Sequence, residues 1–441
     1  MHDLQAKEKT EALLSFLEKS PTAFQAVENL AELLAASGFV RLEECNEWKL
    51  EAGKGYFLTK NQSTILAFRV PKKAPRQMLL SASHTDSPTF KLKDNFEAVA
   101  FDTYKKLDIE PYGGSIFASW LDRPLSVAGR LIVLENGVLT TKNVSLDRDF
   151  ALIPSLAIHQ NREVNKGVAL NPAIDLQPIS GDGAGDKDVL IKLLAEKVGC
   201  KPDAIKGKDL FLYNRSSGSI WGEKGEFFSS PRIDNLMCAY GTLQGFLQAK
   251  TPIDSLGVYA SFDNEEVGSS TKQGAGSVFL RNALERVAKS LGVDFYRLMA
   301  NGFLVSADNA HAVHPNHPEL FDQANVPKMN RGLVIKTNAA QRYATDGLSE
   351  ALMEEIAGRA GVPVQHFANR SDQPGGSTLG SIADTHLPIL TVDVGMAQLA
   401  MHSSYETAGC SDVPYLEATL KQFYETKIEA EGDGRIHISF E

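Results

Sequence analysis

The chain has 441 residues, 43% of them hydrophobic and 23% charged, with a formal net charge of −10 at pH 7. That length supplies a large core and roughly two or three domains, and the negative balance argues against nucleic acid or an anionic membrane surface as a partner. No apolar run reaches bilayer-spanning length, and Cys45, Cys200, Cys238 and Cys410 lack metal-finger or redox spacing, which with the polar start Met1-His2-Asp3-Leu4 fits a reducing cytoplasm.

The first elements are two helices. Leu13, Leu14, Phe16 and Leu17 share one face, Ser20-Pro21-Thr22 interrupts, and Val27, Leu30, Leu33 and Leu34 resume the pattern with Thr22 as N-cap. Strands follow at 63–70 and 77–83, the second running into His84-Thr85-Asp86-Ser87-Pro88. From about 96 to 228 the texture becomes short alternating segments broken by Gly, Asn and Asp, which predicts an all-β insert, with 181–186 as a flexible loop. Beyond Pro231, helix and strand alternate: helix from 234 to about 249, strand to 262, helix near 276–291, strands at 303–306 and 332–336, helix 349–360, and strands at 362–367 and 387–394. Such alternation predicts an α/β fold, a mostly parallel sheet with helices on both faces. The expected division is a catalytic domain of residues 1–95 and 229–441 interrupted by a β-rich insert at 96–228.

In open α/β sheets ligands bind beyond the carboxyl ends of the strands, and that is where this sequence puts its metal-competent side chains. His84 and Asp86 follow one strand, Glu265 and Glu266 another, and Asp308 a third; Asp234 opens a helix and His402 lies in a loop after Val394. Neighbours on extended backbone point opposite ways, so Glu265 and Glu266 suit different tasks, one holding metal and one moving a proton. Mixed imidazole and carboxylate donors suit Zn²⁺, with Mn²⁺ or Co²⁺ as substitutes. Two ions need a bridging carboxylate and further ligands on each side; the inventory is large enough, and spacing leaves open which carboxylate bridges. Ordinary readings stand beside these: a solvated glutamate pair, a turn at His84-x-Asp86, an N-cap at Asp234, an Asx-turn at Asp308, and for Lys336 a solvated strand end. Their coincidence at strand ends favours a single site.

His84-Thr85-Asp86-Ser87-Pro88, Tyr112-Gly113-Gly114-Ser115 with Trp120-Leu121-Asp122-Arg123, Asp263-Asn264-Glu265-Glu266-Val267-Gly268, Ser306-Ala307-Asp308 with His311-Ala312-Val313-His314-Pro315, and Gln398-Leu399-Ala400-Met401-His402-Ser403 occur in order along the chain. Together they resemble the successive signatures of the M18 metalloaminopeptidases, the aspartyl aminopeptidase family, collinear from about residue 10 to 425. The resemblance implies a zinc-exopeptidase-like fold and a centre of two zinc ions. Asp234 would bridge them, His84 and Asp308 complete one, and Glu266 and His402 complete the other. It implies Glu265 as general base acting on a metal-bridged water, and Asp86 as the group that orients His84. The substrates implied are peptides with a free N-terminus; Lys336 and Tyr343 would lie beside the first residue and select Asp or Glu. His159, inside the insert, would reach a neighbouring subunit's site, a direct metal-ligand role being another option, and the assembly implied is a homo-oligomer, a dodecamer. The short connection after His314-Pro315-Asn316-His317 resembles the bacterial branch, whose substrate preference is less uniform. The alternatives are a related co-catalytic zinc exopeptidase or amidohydrolase of M42 or M20 type with broader specificity, and a non-catalytic assembly protein on the same fold. The last predicts a lost ligand or base, and none is missing.

Overall fold

Two helices, His2–Lys19 and Ala23–Ala36, open the fold on either side of the break at Ser20-Pro21-Thr22. The computed structural model describes residues 2–183 and 186–440. Thr22 occupies the N-cap position, but its hydroxyl meets the Gln25 side chain instead of a backbone amide. Gln25 Nε2 in turn donates to the carbonyls of Gly129 and Val144 at 2.9 and 3.2 Å, which fastens the start of the second helix to the insert.

The main sheet has nine strands in the order Val40–Arg41, Gly55–Lys60, Thr64–Arg69, Ser255–Phe262, Gln77–His84, Gly302–Ala307, Leu390–Gly395, Leu333–Thr337 and Val364–Ala368. From Ser255–Phe262 to Leu390–Gly395 the central strands run parallel. Every residue of Ser255–Phe262, Gln77–His84 and Gly302–Ala307 is buried, as expected of parallel strands covered on both faces. Alternate side chains go to opposite layers: Leu79 and Tyr259 join the helices Ile233–Gln248 and Asp412–Tyr424, while Met78, Leu80, Val258 and Ala260 join the helix Phe279–Leu291. Charged residues therefore have no place within these strands and gather at their ends. The register pairs Phe262 with His84 and Ser306 with Ala82, so the carboxyl ends meet along one edge.

A second sheet, antiparallel, has six strands in the order Val138–Ser145, Leu125–Glu135, Ile205–Asn214, Thr89–Ala100, Tyr104–Tyr112 and Ile179–Asp182. Its separate core includes Phe90, Trp120, Leu131 and Leu210. The all-β expectation for this region is corrected by the helix Val189–Val198, whose Leu190 and Leu194 enter that core from one helical face. Of the expected loop at 181–186, Gly181 and Asp182 pair with Lys105 and Tyr104, whereas Ala184 and Gly185 lie outside the described residues. The sheet begins at Thr89, directly after the Asp86-Ser87-Pro88 turn, and not at 96. Ser219–Trp221 and Phe227–Ser230 do not join it; they pair within a five-stranded sheet completed by Glu406–Gly409, Ala397–Leu399 and Ala310–His311.

The sequence pattern also passes over the helices Phe295–Ala300, Leu379–Asp384 and Asp412–Tyr424 and the hairpin of Thr426–Gly432 with Arg435–Phe440. Helix Ile233–Gln248 lies hard against Asp412–Tyr424. A Cβ built on Gly245 would sit 2.6 Å from Leu420 Cβ, 2.9 Å from Lys421 N and 3.0 Å from Glu417 O. Among the described residues no helix is long and apolar enough to cross a membrane.

Candidate metal centre

His84 closes its strand, and its ring is 1% exposed. Nδ1 is held by Asp86, 3.1 Å from the backbone carbonyl and 3.3 Å from Oδ1, which turns Nε2 towards the carboxylates. Nε2 lies 3.5 Å from Asp234 Oδ1, 3.6 Å from Asp308 Oδ1 and 4.0 Å from Glu265 Oε2. Asp308 follows Gly302–Ala307, with its amide bonded to the Val394 carbonyl at 2.9 Å.

Asp234 stands at the start of helix Ile233–Gln248, where its backbone is still extended and the Asp234–Asn235 peptide is cis. Its two oxygens face two different groups. Oδ1 looks to His84, while Oδ2 lies 3.5 Å from His402 Nε2, itself 3.3 Å from Glu266 Oε2. His402 sits in the turn between Ala397–Leu399 and Glu406–Gly409 with φ 68°, and its Nδ1 pairs with the Gly114 carbonyl at 3.0 Å. Both imidazoles thus donate through Nδ1 and present Nε2, the arrangement that fixes a metal-binding tautomer. Glu265 and Glu266 lie on a 3₁₀ turn, Glu265–Val267, and not on the strand pleat that was expected to part them. That turn is pinned by Asp86, whose Oδ1 and Oδ2 accept the amides of Glu265 and Glu266, each at 3.2 Å.

The donor atoms of His84, Asp234 and Asp308 lie within 4.8 Å of one another, as do those of Asp234, Glu266 and His402. A test of whether these residues fit a cation comes from what they lack. Asp234 Oδ1 and Glu266 Oε1 are buried without a hydrogen-bond partner, which a polar interior rarely tolerates. Burial, reinforced by Asp308, Asp86 and Asp234 and opposed by His84, pushes the Glu265 carboxyl up to about 8. Burial and Asp234 likewise push Glu266 well up. Asp234 moves the other way: despite its burial, His402 and His84 hold it below the usual carboxylate range. Crowded carboxylates with two Nε2 lone pairs among them are the donor set of a divalent ion, whose charge removes the repulsion. Two further donor groups are His84 with Glu265 and Glu266, in the same centre, and Glu350, Glu354 and His366, which lie mostly in solvent on helix Gly347–Arg359 and the edge strand Val364–Ala368.

The structure does not bring the remaining candidates into these groups. Lys336 is buried, and its Nζ donates to the Asp308 carbonyl at 2.8 Å and the Asn309 carbonyl at 3.4 Å. It lies 5.3 Å from the centre of the Tyr343 ring, which is also buried. His159 is in an exposed turn of the insert. The residue that sequence reasoning missed is Glu406. Fully enclosed and pushed up to about 8 by burial and Asp234, it accepts the amides of Asp234 at 2.9 Å and His402 at 2.8 Å. One side chain thereby sets the spacing of two candidate ligands.

The family described as "Aminopeptidase I zinc metalloprotease (M18)" matches residues 16–424. A "Probable M18 family aminopeptidase 2" of Clostridium novyi (strain NT) is 44% identical over 422 residues, covering 93% of this chain and 97% of that protein. Among solved structures, the matching chain of the Ape4 and Nbr1 complex has a TM-score of 0.92 and 36% identity over 96% of this chain and 86% of that one. The S. cerevesiae mApe1 dodecamer gives a TM-score of 0.84 and 27% identity over 96% of each chain.

Proposed function

The chain belongs to the M18 family of zinc metallopeptidases that act on the N-terminal residues of peptides, and from that premise we propose a two-zinc centre with a preference for Asp or Glu at the N-terminus. The observation that carries the two-ion reading is Asp234, one oxygen turned to His84 and Asp308 and the other to His402 and Glu266. His84, Asp234 and Asp308 would hold one ion, and Asp234, Glu266 and His402 the other, with Mn²⁺ or Co²⁺ as substitutes. When bound, zinc supplies Lewis-acid polarisation of the scissile carbonyl and makes water more acidic.

The chain's own residues do the rest. Glu265 stands close to His84 Nε2 and shares a donor group with His84 and Glu266; we assign it to the proton and leave the metal to the other five residues. It takes a proton from the attacking water as the oxygen adds to the carbonyl carbon, then returns that proton to the leaving nitrogen as the C–N bond breaks. Asp86 keeps His84 in the tautomer that presents Nε2, and holds the turn that separates Glu265 from Glu266.

For the acidic preference we rely on Lys336. An ammonium has three donors; two meet the Asp308 and Asn309 carbonyls, and we assign the third to a substrate carboxylate entering beside the Tyr343 ring. We read the insert built on the six-stranded sheet, from Thr89 to Asn214, as the assembly unit. Leu156 and Ile158, next to His159, are 62% and 47% exposed, and Phe101 is 92% exposed, apolar surface of the kind that partner chains cover. The dodecamer formed by mApe1 supports a homo-oligomer, and to His159 we assign the task of serving a neighbour's site. Four free cysteines support the cytoplasm as compartment.

One experiment tests this reading. Wild type and Lys336→Ala are stripped by chelation, restored with zinc, and assayed on N-terminal Asp, Glu, Ala and Leu chromogenic substrates. Activity should vanish and return with the metal, and Lys336→Ala should lose far more on Asp and Glu than on Ala and Leu. An equal loss on all four removes the acidic preference from Lys336, and activity indifferent to chelation removes the metal.

A further inference from the structure

The metal centre lies in the main body of the chain, yet the loop that braces both of its halves comes from the insert. Strand Tyr104–Tyr112 belongs to the six-stranded sheet, and the residues just after it reach the centre at several points. Tyr112 Oη lies 2.7 Å from Asp86 Oδ2 and 2.8 Å from Asn264 Nδ2. The direction of that chain is fixed. Asn264 Oδ1 already accepts from Thr271 Oγ1 at 2.8 Å and Gln273 Nε2 at 2.7 Å, so its amide nitrogen must be the donor to Tyr112. The hydroxyl then has its proton left for Asp86. Burial, followed by the Asp86 and Asp263 charges, pushes the phenol well above its ordinary range, so that proton stays in place.

Asp86 consequently receives Tyr112 Oη, the Glu265 and Glu266 amides and His84 Nδ1. On the other half, the Gly114 carbonyl takes His402 Nδ1 and the Ile116 amide donates to the His402 carbonyl, both at 3.0 Å. Between them Gly113, at φ +74°, lies so close to Glu266 that a Cβ there would approach its Cβ to 3.1 Å. Each contact is modest alone. Together they join both imidazoles and the glutamate turn to one short segment.

We propose that Tyr112 is a positioning residue for the metal centre, acting through Asp86, and that the 112–116 segment makes the insert part of the active site as well as a separate sheet. This rests on the ligand assignment above. Tyr112→Phe is the test, because it keeps the ring that packs edge-on against Phe211 at 5.6 Å and removes only the hydroxyl. Zinc affinity is measured by competition with a chelator, alongside the absorption bands of the cobalt-loaded protein and the melting temperature of the zinc-free protein. The expected result is zinc bound about 10- to 100-fold more weakly, shifted cobalt bands and an unchanged melting temperature of the zinc-free form. Wild-type affinity in Tyr112→Phe overturns the proposal. So does weaker binding matched by a lower melting temperature with cobalt bands unmoved, which is damage to packing alone. Glu266→Gln is carried in parallel: if it keeps zinc as tightly as wild type, the ligand assignment itself is wrong and the proposal goes with it, whereas zinc lost there but kept in Tyr112→Phe condemns only the positioning role.

Discussion

Glu265 and Glu266 adjoin in the chain yet face different partners, His84 at 4.0 Å and His402 at 3.3 Å. If the first moves protons and the second holds metal, neutral isosteres should separate the tasks. Glu265→Gln should keep its zinc, measured by elemental analysis after dialysis, while turnover falls by about 10²- to 10⁴-fold. Glu266→Gln should lose zinc in the same dialysis, and like behaviour of the two would refute the division. That these two residues come together with His84, Asp234, Asp308 and His402 was legible, for His84, Asp308 and the glutamates from metal-competent side chains at the ends of apolar strands, and for Asp234 and His402 through the ordered motifs of the family resemblance. Glu406 was not. It works by accepting one amide from His402, four residues away, and one from Asp234, far off in sequence, and no local pattern announces that it joins the two. Lys336 was legible as an unusual cation, but its engagement with two carbonyls depends on the Asp308 turn lying beside its strand.

Among the elements, the helix Ile233–Gln248 is closely held. It carries Asp234 at its first turn and approaches helix Asp412–Tyr424 closely enough that two of its glycines have no room for a side chain. The two positions differ in what they would strike. At Gly241 the nearest atom is the end of the Leu416 side chain, at 2.6 Å, which can swing away; at Gly245 the Lys421 amide and the Glu417 carbonyl are also within 3.0 Å. Gly245→Ala should therefore cost about 1–3 kcal/mol through overpacking, read as a lower thermal midpoint, while Gly241→Ala should lower it less. If the alanine at 241 proves the more damaging, this account of the contact fails. The helix itself was legible from its apolar pattern, and so was the alternation of strands and helices after Pro231. Less legible was Val189–Val198, a ten-residue helix set among strands, where turn signals on both sides read as β texture. The five-stranded sheet escaped for another reason. Its strands are two to four residues long and come from 219–230, 310–311 and 397–409, so only the folded chain shows that they belong together.

For the whole molecule, the proposed assembly makes a concentration-dependent claim. If His159 completes a neighbour's site, dilution that yields monomers by light scattering should abolish turnover while each chain keeps its zinc, and a fully active monomer removes the shared site. That the chain is an α/β protein with an inserted β-rich region could be read from its changing rhythm. The seam between the parts could not, because strand Thr89–Ala100 starts immediately beyond the Asp86 turn and loop 112–116 returns from the insert to the centre.

The spread of the proposed ligands along the chain also bears on how the molecule comes into being. His84, Asp234, Glu266, Asp308 and His402 converge only after strands from distant parts of the sequence have paired, and such non-local pairing forms late and slowly. A growing polypeptide on the ribosome holds His84 long before His402 has been made. If these five residues are the ligands, the half-finished molecule has no complete metal centre with which to attack the nascent N-termini around it until nearly the whole chain has emerged and closed its sheet.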